Sequence, residues 1–100
     1  MNISKDSIFQ FVIDEIKTLN DELETKVDLK TGRETRLFGG GGVLDSLSLV
    51  SLIISIEERL EIETNHSVVL ATERAMSKRI SPFSSVGSLC DYINEILNEL

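Results

Sequence analysis

Ser46 stands between Asp45 and Leu47, just after a run in which residues 39–42 are all glycine. A serine hydroxyl so placed can be a nucleophile, an acceptor of a covalent modification, or simply part of a helix start. A nucleophile needs a base within hydrogen-bond reach. The chain has a single histidine, His66, beyond the far end of the helix that Ser46 would begin, and it reads as a solvated loop residue. A hydrolase elbow requires G-x-S-x-G, whereas Leu44 and Asp45 precede Ser46. A phosphate-binding loop requires a lysine after its glycines, and none follows here. The Asp and Glu residues lack EF-hand spacing, and no His/Cys cluster offers a metal site. Cys90, the only cysteine, excludes an intramolecular disulfide and a C-x-x-C pair; it falls on an apolar helical stripe and reads as a small core residue. Intrinsic catalysis is therefore rejected, and no catalytic residue is assigned.

Modification remains. With Asp45 as N-cap, Ser46 becomes the first helical residue, beside free backbone N–H groups at the positive end of the helix dipole. A phosphodiester on its hydroxyl would sit in a favourable field. Gly39 to Gly42 remove side-chain bulk nearby and leave room for an enzyme. A capped helix after a flexible loop is the alternative these residues leave open.

Several elements must position this serine. "SKDSIFQFVIDEIKTLN" puts Ile8, Val12, Ile16 and Leu19 on one helical stripe, with Ser4 as cap and Asp6 in the first turn. Residues 20–44 form a long loop, a length uncommon in a small domain and often functional, with Leu23, Val27, Leu29, Leu37 and Phe38 available to pin it to the core. "DSLSLVSLIISIEERLEI" is apolar over too wide an arc for one core face. Either this helix is central, or part of its apolar surface serves a partner. Asn65 is the expected stop. A short helix within Thr72–Lys78 would pack Ala75 and Met76, and Pro82 ends what precedes it. "SSVGSLCDYINEILNEL" sets Val86, Leu89, Cys90, Ile93, Ile96, Leu97 and Leu100 at helical spacing behind a serine cap. The expected fold is all-α: a four-helix bundle with three longer helices, a short third one and a long loop after the first.

Composition agrees with one domain spanning residues 1–100. Hydrophobic residues make up 41%, with five aromatics and one proline, so the core rests on Leu, Ile and Val. The net charge of −7 argues against nucleic acid, which is gripped by clustered Lys and Arg, and fits partners that present basic patches. The N-terminus shows no apolar run of signal-peptide length, and Leu47 to Ile56 is too short to span a bilayer. A cytoplasmic protein without membrane contact is expected.

"GGVLDSLSLVSLIISIEERL" resembles the signature of acyl carrier proteins: a glycine-containing loop, Asp-Ser-Leu, then an apolar helix ending in glutamates. The order of elements and "SSVGSLCDYI" extend the resemblance over nearly the whole chain. In that family the serine is esterified with 4′-phosphopantetheine, drawn from coenzyme A, and the arm's thiol carries acyl groups. The resemblance implies attachment at Ser46, flanked by Asp45 and Leu47, a loop kept open for a phosphopantetheinyl transferase, and an acyl chain resting among the helices. It further implies a monomer that meets acyl-loading and acyl-consuming enzymes.

One departure stands out. Where carriers of fatty-acid synthesis usually have acidic residues, this chain has Ser48 and Ser51, and acidic residues return only at Glu57, Glu58, Glu61 and Glu63. Val50 and Ile54 fall on the side of Ser46 and, with Glu57 and Glu58, are candidate docking residues, with core packing the alternative for the two apolar ones. "ERAMSKRISPF" brings Arg74, Lys78 and Arg79 together and resembles carriers of specialised pathways for lipid, polyketide or polysaccharide modification; a solvated loop of mixed charge is the alternative. An aminoacyl or peptidyl carrier, or an unmodified helical interaction module, is the rival reading.

Overall fold

In the computed structural model, which describes residues 3–100, four helices follow the expected order: α1 (Lys5–Asn20), α2 (Ser46–Thr64), α3 (Glu73–Met76) and α4 (Val86–Leu97). A 3-10 segment, Leu29–Glu34, lies within the long loop. The described residues contain no strand, only two isolated bridges.

α1 begins where Ser4 Oγ accepts the N–H of Ser7, and it buries Ile8, Val12, Ile13, Ile16 and Leu19. That face packs against both α2 and α4, so α1, not α2, is the central element. Burial of such a stripe, at about 25 cal/mol per Å² of apolar area, outweighs what helix propensity alone supplies. The start of the loop is then clamped by Asn20, whose side chain accepts the N–H of Val27 at 2.9 Å and donates to its carbonyl at 3.1 Å. Val27 and Leu37 are buried, and Leu23, Leu29 and Phe38 are half-buried against the core, so all five expected anchors serve.

The wide apolar arc of α2 divides. Leu49, Leu52, Ile53, Ile56 and Leu60 turn inward, while Leu47, Val50, Ile54 and Ile62 remain in water. The helix stops at Asn65, the expected cap, which takes the left-handed conformation at φ 57° that Asn tolerates better than most residues. Arg59 ties α2 to α1: it lies 3.3 Å from Glu15 and stacks 4.7 Å above the Phe11 ring.

α3 is one turn capped by Thr72, and only Ala75 of it is buried. Met76, expected in the core, is 78% exposed, because a single turn has room for one inward position. Its basic neighbours have structural partners: Arg74 binds Glu95 and Glu99, and Lys78 binds Glu95, strapping the segment to α4. α4 starts with a capping box between Ser85 and Ser88 and buries Val86, Leu89, Cys90, Tyr92, Ile93 and Leu97. Leu100, placed on the same stripe by its spacing, lies past the helix end and is 46% exposed.

Candidate functional site

Ser46 is positioned by a chain segment anchored more than forty residues away in sequence. Thr35 accepts the N–H of Val86 at 2.9 Å, and Leu37 donates to Ser84 at 2.9 Å. Arg36 pairs with Ser85 in an antiparallel bridge. The loop is therefore stitched along the entry to α4. Beyond Phe38 the chain reverses: Gly42 N–H reaches Gly39 carbonyl at 3.0 Å, and Leu44 N–H reaches Leu37 carbonyl at 3.0 Å.

This reversal gives the glycines a structural reason. Gly39 and Gly41 have φ of +92° and +79°, values at which a side chain is strained. A Cβ on Gly42 would run into the carbonyl group of Leu37 and lie 2.9 Å from the nitrogen of Phe38. Gly40 alone has an ordinary φ and open space around it. Three of the four glycines thus shape a tight turn that returns Leu44 to the core, where it is buried. The chain leaves that turn directly into the start of α2.

Asp45 is the N-cap, its Oδ1 accepting the N–H of Ser48 at 2.8 Å. Hydrogen bonds from Ser48, backbone first and side chain second, hold the Asp45 carboxyl below its ordinary range. Ser46 opens the helix and is exposed. The hydroxyl is thus offered to solvent at the positive end of a 19-residue helix, where a covalently attached anion is stabilised by the dipole.

Leu47, Val50 and Ile54 are 76%, 50% and 48% exposed, at the spacing that forms one stripe down a helix. Glu58 continues that stripe in water, whereas Glu57 is half-buried and its Oε2 accepts the N–H of Leu70 at 2.7 Å. Ser51 is exposed beside the stripe, and Ser48 is half-buried next to the cap. The structure therefore brings Ser46, Leu47, Val50, Ile54 and Glu58 onto accessible surface and withdraws Glu57.

His66 is not brought to the serine. It is exposed just past the end of α2, and a rise of 1.5 Å per residue makes that helix about 28 Å long. Cys90 is buried, and burial pushes its thiol up to about 11. Among the described residues no group of three or more His, Cys, Asp or Glu could hold a metal ion. No helix among them is long and apolar enough to cross a membrane.

Sequence reasoning missed Gly87. A Cβ there would lie 2.9 Å from the carbonyl oxygen of Arg33 and 3.2 Å from its Cβ, so the 3-10 segment rides directly on the first turn of α4. The one local signal is a glycine inside a helix, where it costs stability unless packing repays it.

No family model matches the chain, and no solved structure matches it. Over 92 residues it is 33% identical to the mitochondrial acyl carrier protein of Saccharomyces cerevisiae. The alignment takes in 92% of this chain and spans 64% of the length of that relative. Along nine-tenths of its length, this small helical chain is thus similar to an acyl carrier protein.

Proposed function

We propose that this chain is a member of the acyl carrier protein family and carries acyl groups on a 4′-phosphopantetheine arm esterified to Ser46. One observation carries the reading: in a chain similar to an acyl carrier protein, the Asp-Ser-Leu serine is exposed as the first residue of α2 behind an Asp45 cap. The arm supplies a terminal thiol, the reactive group that the buried Cys90 cannot provide.

The chain's own residues prepare the attachment. The Ser46 hydroxyl oxygen forms a new bond to the β-phosphorus of coenzyme A. The pyrophosphate bond breaks, an adenosine bisphosphate departs, and the serine proton passes to a base of the transferase. Asp45 keeps the helix start ordered while that oxygen reacts. The N–H groups of the first turn that Asp45 leaves unpaired, with the positive end of the helix dipole, would favour a phosphodiester anion on Ser46. Flanking Leu47 gives the transferase an apolar contact beside the hydroxyl.

Val50, Ile54 and Glu58 continue that surface toward acyl-loading and acyl-consuming enzymes in a specialised pathway. The chain acts as a monomer in the cytoplasm, presents the thioester and performs no chemistry of its own. Incubation with coenzyme A and a broad-specificity phosphopantetheinyl transferase, followed by intact mass, tests the reading. One phosphopantetheine should be gained, and none by Ser46→Ala. No gain beside a modified control carrier would move the reading to an unmodified interaction module.

A further inference from the structure

A cleft of about 310 Å³ lies between the 3-10 segment and the glycine turn. Lys26, Val27, Thr31, Thr35, Arg36 and Val43 are among its walls. Val43 is three residues before Ser46, so their Cα atoms are at most about 11 Å apart. The geometry points to a cargo site: this cleft shelters a short acyl group carried from Ser46 that bears hydroxyl or amide groups, not a plain hydrocarbon chain. This assignment rests on the carrier reading.

Size sets the first limit. A cavity of about 150 Å³ takes a benzene ring, so on that scale the cleft takes about a dozen non-hydrogen atoms. Wall chemistry sets the second. The hydroxyls of Thr31 and Thr35 lie 3.0 Å apart, and the Thr35 residue is buried while Thr31 is exposed. Lys26 donates to the carbonyls of Asn20 and Leu23, which leaves a third proton for a ligand. Arg36 donates through Nε to Gly40, and among the described residues no ion pair engages its guanidinium. Asp28 and Glu34, also at the cleft, balance those two cations.

A methylene chain laid here would displace water from these groups without replacing its hydrogen bonds, an unfavourable exchange. A hydroxyl or amide on the cargo replaces them. The helix layer offers a different environment: Leu52, Ile56, Leu60 and Ile93 are closed to solvent. A second cleft, of about 250 Å³, lies against α4 beside Lys78, Tyr92 and Glu95, and it does not enter that layer either.

The transferase can load the protein directly from butyryl-, 3-hydroxybutyryl- and octanoyl-coenzyme A, with intact mass verifying each product. Absence of any mass gain would overturn the carrier reading and this assignment with it. With loading verified, the 3-hydroxybutyryl form should shift the backbone amides of Thr31, Thr35 and Val43 relative to the unacylated form. The butyryl and octanoyl forms should leave those amides in place. Its thioester should also react with hydroxylamine about threefold more slowly than the butyryl one, the protection that one hydrogen bond supplies. Thr31→Val, a change at an exposed position, should remove both effects while loading continues. Equal shifts from all three cargoes, or shifts confined to Leu52, Ile56 and Ile93, would overturn the cleft assignment and leave the carrier reading standing.

Discussion

Glu57 and Leu70 are joined across thirteen residues: Glu57 Oε2 accepts the backbone N–H of Leu70 at 2.7 Å. Leu70 is fully buried, and its carbonyl accepts the Tyr92 hydroxyl at 2.9 Å. The connection between α2 and α3 is thereby held from both sides, by α2 through Glu57 and by α4 through Tyr92.

Truncating Glu57 should therefore cost stability, because it orphans a buried donor. Glu57→Ala is expected to lose about 1–2 kcal/mol, whereas exposed Glu58→Ala should stay within about 0.5 kcal/mol. Urea unfolding of the two variants side by side decides this. Equal losses would mean that the carboxylate is not a structural tie.

The glycine run should respond unevenly to alanine. Gly42→Ala drives a methyl into the Leu37 carbonyl and should destabilise by about 1–3 kcal/mol. Gly40→Ala meets open space at an ordinary φ and should be neutral within about 0.5 kcal/mol. Thermal unfolding midpoints measure the difference, and a flexible loop would tolerate both changes alike.

Acid should loosen the start of α2 through Asp45. Its carboxyl is held below its ordinary value in the folded chain, so the charged cap contributes fully above the unfolded value. That contribution disappears as pH falls through the lower, folded value. The loss belongs below about pH 4. The protection of the Leu47 and Ser48 amides from exchange, relative to their intrinsic rates at each pH, should fall there in the native protein. In Asp45→Asn, protection of these two amides should show no such pH-dependent step.

The exposed stripe of α2 can be separated from the core by mutation. Val50→Ala and Ile54→Ala should each leave unfolding within about 1 kcal/mol, since both side chains are half in water. If the stripe docks the transferase, each should slow modification of Ser46 by about tenfold, the loss of one apolar contact at a hot spot. Glutamates at 48 and 51 should improve loading by enzymes of fatty-acid synthesis, where charge governs docking. Unchanged rates across all these variants would remove the stripe from the interaction surface.

Much was legible in the chain itself. The caps at Ser4 and Asp45, a serine cap before α4 and the stop at Asn65 were readable because a helix end is decided by residues within one turn of it. The stripes of α1 and α4 were readable because a period of 3.6 is a local property. Ser46 at a helix start follows from both. Other features had no local signature. Whether Val50 and Ile54 point inward depends on which side of α2 meets α1, and the sequence of α2 is apolar on both sides. Glu57 turns away from the exposed stripe to accept the N–H of Leu70, thirteen residues on. The glycine turn has its shape because Leu37 is stitched to Ser84, and Gly87 is required because Arg33 rests upon it. Local periodicity and capping determined where the helices lie and where the serine stands; only contacts between distant segments decided which surfaces surround it.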